Sequence, residues 1–145
     1  MFEKLFILVK DNAGRAIIDN PAIPEKYHEA VINEASSSII EVLKSQVESG
    51  RLKDVVKYFQ YAGIYNNPLI TSATNKFANK LNNYYGIEPK EALATANALI
   101  PAVMQDLIQQ SKSEQNKEFA LDSLLSKIKG SAVNVNALLN QMAMA

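Results

Sequence analysis

Cysteine is absent from the 145 residues, and histidine occurs once, as His28. The first absence excludes disulfides, thiolate metal ligands and a cysteine nucleophile together. One imidazole cannot make a multi-histidine metal centre, and it leaves a Ser-His-Asp arrangement hard to assemble. Charge of one sign is also lacking, because 15 Lys and Arg stand against 15 Asp and Glu. Proteins that hold nucleic acid or an anionic membrane by bulk charge carry an excess of cations, so the balance argues against both. Long apolar runs are missing as well. Leu5 to Val9 is too short for the apolar core of a signal peptide, and no stretch approaches the roughly 20 residues that span a bilayer. The expectation is a soluble cytoplasmic protein without a targeting segment, without metal or cofactor, and without an enzyme's usual residue types.

What the chain does have is a hydrophobic fraction of 48%, enough for one packed domain of ordinary size over residues 1–145. Its pattern is helical almost throughout. Apolar positions recur every four residues from Tyr27 through Val31, Ala35, Ile39 and Leu43 to Val47, which predicts a long amphipathic helix over Glu25 to Ser49. Leu52, Val55, Val56 and Phe59 make a shorter one. Asn67-Pro68 reads as an N-cap followed by proline at the first helical position. The helix after it should pack Ile70, Ala73, Phe77, Leu81 and Tyr84 on one face. Pro89 opens a nearly all-apolar helix to about Ser111, which predicts burial, with a kink at Pro101 where proline removes the bond to the Asn97 carbonyl.

Glycine supplies the stops. Gly50, Gly63, Gly86 and Gly130 each follow an apolar-periodic run, as a left-handed C-cap would, and Gly14 marks the end of the first helix. Ser111 with Glu114 matches a capping box for a helix carrying Phe119, Leu121, Leu124, Leu125 and Ile128. Strand signals are weak everywhere. The fold class is therefore all-α: a single-domain bundle of five to seven helices around a buried, Pro-kinked central helix.

Two stretches stand out as candidate sites. Between Glu48 and Glu88 the only acid is Asp54, against Arg51, Lys53, Lys57, Lys76 and Lys80, and seven aromatic residues interleave with six asparagines. Basic, aromatic and amide groups mixed in this way can stack on and hydrogen-bond a small ligand or an anionic polymer. The candidate residues within segment 51–85 are Lys57, Tyr58, Tyr61, Tyr65, Asn67, Lys76, Asn79, Lys80 and Asn83. The plainer reading makes Phe59, Phe77 and Tyr84 core and the lysines a solvated face. The second stretch is residues 131–145, which carry no charged side chain yet include Val135, Leu138, Leu139 and Met142 at helical spacing. An uncharged amphipathic helix needs a covering surface, on its own domain or on another chain, so these four are a candidate partner interface or homo-oligomer contact.

His28 near Glu25, Glu29 and Glu34 lacks the His-Glu-x-x-His spacing of a zinc site and reads as structural. Asp11 and Asp19 flank a turn, where such residues usually bond to local backbone. Asp106 should make an exposed or capping contact.

Several local signatures occur together and in order: Gly63, then Asn67-Pro68-Leu69-Ile70, then Gly86-Ile87-Glu88-Pro89 with Glu91-Ala92, then Leu99-Ile100-Pro101 with Val103 and Asp106. On these residues the chain resembles the YidB-like proteins, a small all-helical bacterial family. Upstream, Ala16 to Pro24 is similar to the Asn-Pro-Ala-Ile-Pro segment of relatives from the Bacteroidetes. The resemblance covers about residues 14 to 110. Many relatives carry a Trp where this chain has Tyr58 and Phe59, and a Thr-Pro-x-Gly turn where it has Gln109 to Lys112. The family implies a helical architecture and no catalytic residues. The functional expectation is a non-enzymatic protein-interaction or scaffolding module, with ligand or anionic-polymer binding at segment 51–85 as the alternative. Nucleic acid and membrane insertion are not expected.

Overall fold

A computed structural model describes residues 2–60, 67–111 and 121–130. Six α-helices occur among them: α1 (Phe2–Asp11), α2 (His28–Glu48), α3 (Leu52–Gln60), α4 (Pro68–Tyr85), α5 (Pro89–Ser111) and α6 (Leu121–Lys129). No strand occurs among the described residues, and the architecture is an all-α single-domain bundle.

The stops and starts have local causes. Asn67 caps α4 by accepting a hydrogen bond on its side-chain oxygen from the Leu69 N–H at 3.0 Å, ahead of Pro68 in the first turn. At the other end Gly86 takes the left-handed φ of 65° that commonly ends a helix, and the Ile87 N–H returns to the Leu81 carbonyl at 3.2 Å. Gly50 and Gly130 close α2 and α6 with φ 76° and 82°.

Two local expectations are corrected. The chain does not simply stop at Gly14. α1 ends at Asp11, and Gly14–Ile18 forms a π-helical turn, in which the Ile18 N–H reaches the Ala13 carbonyl at 3.1 Å. The wider turn brings Ala16 and Ile17 into the core. The capping box expected at Ser111 leads into residues 112–120, which lie outside the described residues. Ser111 itself is the last residue of α5, where the sequence places the end of that helix, and its hydroxyl donates to the Ile108 carbonyl at 2.6 Å. Tyr84 is not core, being 70% exposed, while Tyr85 packs against the core with its ring 5.5 Å from that of Tyr27. The reason is helical phase: from Leu81 the inward row reaches position 85, one step past Tyr84.

The interior is one continuous apolar cluster drawn from every helix, with Phe59, Phe77, Leu43, Leu99 and Met104 fully buried. The long α2 packs on α1, α3, α4 and α6, and α5 packs most extensively on α4. Along α5, Ala92, Ala96, Leu99, Ile100, Val103 and Leu107 turn inward, and the helix runs without interruption through Pro101. Its outer side carries Leu93, Ala94, Ala98 and Ala102 in solvent. Much of the apolar content that predicts burial all round is alanine, which a helix surface tolerates with little penalty.

Candidate functional site

The sequence places basic residues along α3 and α4, and the fold places α2 beside α4. Glu34 and Glu41 lie two turns apart on one side of α2, and Lys76 and Lys80 lie one turn apart on α4. Packing joins the two rows into one seam. The Lys80 ammonium sits 3.0 Å from one Glu41 oxygen and 3.8 Å from Glu34, and Lys76 lies 3.5 Å from the other Glu41 oxygen. Only 13% of the Lys80 side chain is exposed, so its charge is held under the surface by its acidic partners. Burial alone would push the Glu41 carboxyl up, but the hydrogen bond and charge of Lys80, with Lys76 behind it, outweigh that and hold it below its ordinary value of 4.5. At the far end of the same seam burial raises the Tyr85 phenol, with Glu34 and Tyr27 adding to the effect.

Asn67 is buried and fully engaged, because its amide nitrogen donates to the Tyr58 carbonyl at 3.2 Å while its oxygen caps α4. It ties α3 to α4. Tyr58 is half-buried against the core, and Lys57 is exposed one residue earlier on α3. Asn79 and Asn83 are exposed on successive turns of α4. Tyr61, Tyr65, Gly63 and Ile64 lie outside the described residues, as do Val135, Leu138, Leu139 and Met142.

Two open hollows flank α4 and share Asn75 and Asn79. The one toward α2, about 440 Å³, is polar, with Glu41, Ser45, Gln46, Ser72 and Lys76 around Val42. The other, about 430 Å³, lies toward α5 and sets Ala78, Pro89 and Leu93 among Asn75, Asn79 and Asn82. The structure thus brings Lys76 and Asn79 together, with Lys80 in the adjoining seam. It assigns Asn67 and Tyr58 to holding α3 against α4.

Other singled-out polar groups serve the fold. His28 has its Nε2 3.1 Å from the Ile23 carbonyl. Asp106 is half-buried and accepts from Asn12 at 3.4 Å and Gln110 at 3.1 Å, linking the end of α1 to α5. Asp11 and Asp19 are exposed, and among the described residues no three His, Cys, Asp or Glu side chains converge as metal ligands would. Sequence reading missed Asn20, which donates to the Thr95 hydroxyl at 3.0 Å and to the Ala16 carbonyl at 3.0 Å, fixing the turn before Pro21 against α5. It also missed the acidic half of the seam. The seven-residue spacing of Glu34 and Glu41 was a signal for one helix face, though not for which neighbour that face would meet.

Among the described residues no helix is long and apolar enough to cross a membrane. No protein-family model matches the chain, and no curated protein or solved structure matches it either, so the reading of this site rests on the geometry of α2, α4 and α5 alone.

Proposed function

We propose that the protein is a non-enzymatic helical interaction module of a bacterial cytoplasm, akin to the YidB-like proteins, that meets a protein partner through the neutral face of α4 and α5. The observation that carries this reading is the groove of Asn75, Asn79 and Asn82 around Ala78, Pro89 and Leu93, with Leu93 44% exposed. Apolar side chains rimmed by amides suit the side of a helix or an extended peptide, which offers both carbon and hydrogen-bonding groups. The compensation of Lys76 and Lys80 by Glu41 and Glu34 weighs against the alternative, since a polyanion would have to break those pairs to be held by them.

The test is a full-length chain with a photo-crosslinking side chain in place of Asn79, irradiated in a related bacterium. A discrete protein adduct is expected, and its yield should fall at least severalfold when Leu93→Glu puts a charge in the groove. No adduct above background, or an adduct indifferent to Leu93→Glu, would sink the reading.

A further inference from the structure

The polar hollow on the α2 side of α4 differs in chemistry from the groove on its α5 side. Ser72, Asn75, Lys76 and Asn79 line two turns of α4, about 10 Å at a rise of about 1.5 Å per residue. Glu41, Ser45 and Gln46 face them from α2. The volume of about 440 Å³ falls among those of small-molecule sites, which run from about 300 to about 1,000 Å³.

Among the described residues, the side chains of Ser45, Gln46, Ser72, Asn75 and Asn79 hydrogen-bond to no other residue. Nearby groups of the same kind are spent locally. Ser38 and Thr74 donate to the Glu34 and Ile70 carbonyls at 2.7 Å, and Asn82 donates to the Ile87 carbonyl at 2.9 Å. Serine and asparagine inside a helix weaken it relative to alanine or lysine, because their side chains compete for backbone groups. Around the hollow that weakening brings no bond in return, so these side chains are kept at a cost to the helices that carry them.

The lining also narrows what could bind. Its one described cation, Lys76, and its one described anion, Glu41, lie 3.5 Å apart, so no charge is left over for a phosphate or a carboxylate. A single carboxylate is too few for a divalent cation. Val42, 8% exposed, is the one apolar side chain of the described lining, and no aromatic side chain joins it, which leaves no surface for a lipid or a nucleobase. Hydroxyl groups suit what remains. A hydroxyl both donates and accepts, as do the amides and serines around the hollow. The Glu41 carboxylate is already oriented, by Lys80 at 3.0 Å on one oxygen and Lys76 at 3.5 Å on the other, and it keeps lone pairs for further donors.

We propose that this hollow binds a small uncharged polyhydroxylated molecule, a mono- or disaccharide or a sugar alcohol. Gln46 and Ser72 hold it from opposite walls, and Glu41 accepts from its neighbouring hydroxyls. The hollow is open to water, so the complex is weak, with a dissociation constant of about 1–10 mM.

Amide NMR spectra of the full chain, titrated separately with glucose, sucrose and sorbitol, test the proposal, because the side-chain NH₂ groups of Gln46, Asn75 and Asn79 appear beside the backbone signals. With at least one of the three, signals from residues 41–46 and 72–79 should shift and saturate, half-way at about 1–10 mM, while those of α1 stay. Inorganic phosphate at matched ionic strength should leave them in place. Gln46→Ala with Ser72→Ala touches neither the ion pairs nor the groove on the α5 side. It should raise the half-saturation concentration at least about tenfold, for the loss of two hydrogen-bonding groups. Its urea midpoint should hold or rise, since alanine is the better helix former. Ser45→Lys, which fills the hollow with a side chain that a helix accepts, should weaken the binding as strongly. Shifts that none of the three probes saturates, an equal response to phosphate, or an unchanged half-saturation in both variants would each overturn the proposal.

Discussion

Lys80 has 13% of its side chain exposed, and its ammonium is met there by Glu41 at 3.0 Å and Glu34 at 3.8 Å. Glu41 itself is more open, so its pairing is screened by water and salt, and its contribution to stability is modest. The sign of its pH dependence is nonetheless fixed. A carboxyl held below its ordinary value favours the folded state once ionised, and that contribution disappears as acid protonates it. Stability from Glu41 should therefore be fully present above pH 4.5 and fade as the pH falls below it. Chemical denaturation of the parent chain and of Glu41→Gln at several acidic pH values reads this out. The two curves should converge toward low pH, and the gap between them should shrink in high salt. Parallel acid limbs would show that the carboxylate adds nothing in the fold. This seam was half legible in the sequence: Lys76 and Lys80 stood out as cations, while their partners lie 39 and 46 positions back along the chain, for Lys80, on a helix whose facing side only packing decides.

At the scale of elements, the boundaries of α4 were legible because their chemistry is local. Asn67 and Pro68 start the helix and Gly86 ends it within a few bonds of where the pattern breaks. Boundaries without such chemistry were missed. The π-helical turn after α1 follows from burying Ala16 and Ile17, which no local capping signal announces. The outward face of α5 was misjudged for a related reason: composition counts alanine as apolar, but its small area gains little from burial. Gly86 isolates one boundary cleanly. A Cβ built there meets nothing within 4 Å, so any loss on substitution comes from the positive φ of 65° and not from a clash. Gly86→Ala should therefore destabilise the domain by about 1 kcal/mol, the usual penalty of a left-handed alanine. Urea unfolding measures it, with an unchanged slope. A loss of several kcal/mol would mean that the backbone at this cap does more than turn.

Across the whole molecule, α2, α4 and α5 form the frame, while α6 is joined to it mainly through α2, with Leu124 and Leu125 buried in the contact. Nine residues are too few for a helix that stands alone in water, so α6 exists only as long as that contact does. Its opening is then a separate event from global unfolding. Native-state hydrogen exchange should show α6 amides exchanging through an opening about 2 kcal/mol easier than that of the slowest α4 and α5 amides. Leu125→Ala sharpens the test. Removing a buried leucine side chain costs about 2–5 kcal/mol, which is comparable to or larger than the energy that holds α6 in place. The variant should lose protection across α6, but α5 amides can lose no more than the opening energy of α6 in the parent, because beyond that point the chain simply populates the state with α6 undocked. Equal loss of protection in α5 and α6, beyond that limit, would mean that the domain unfolds as a single unit.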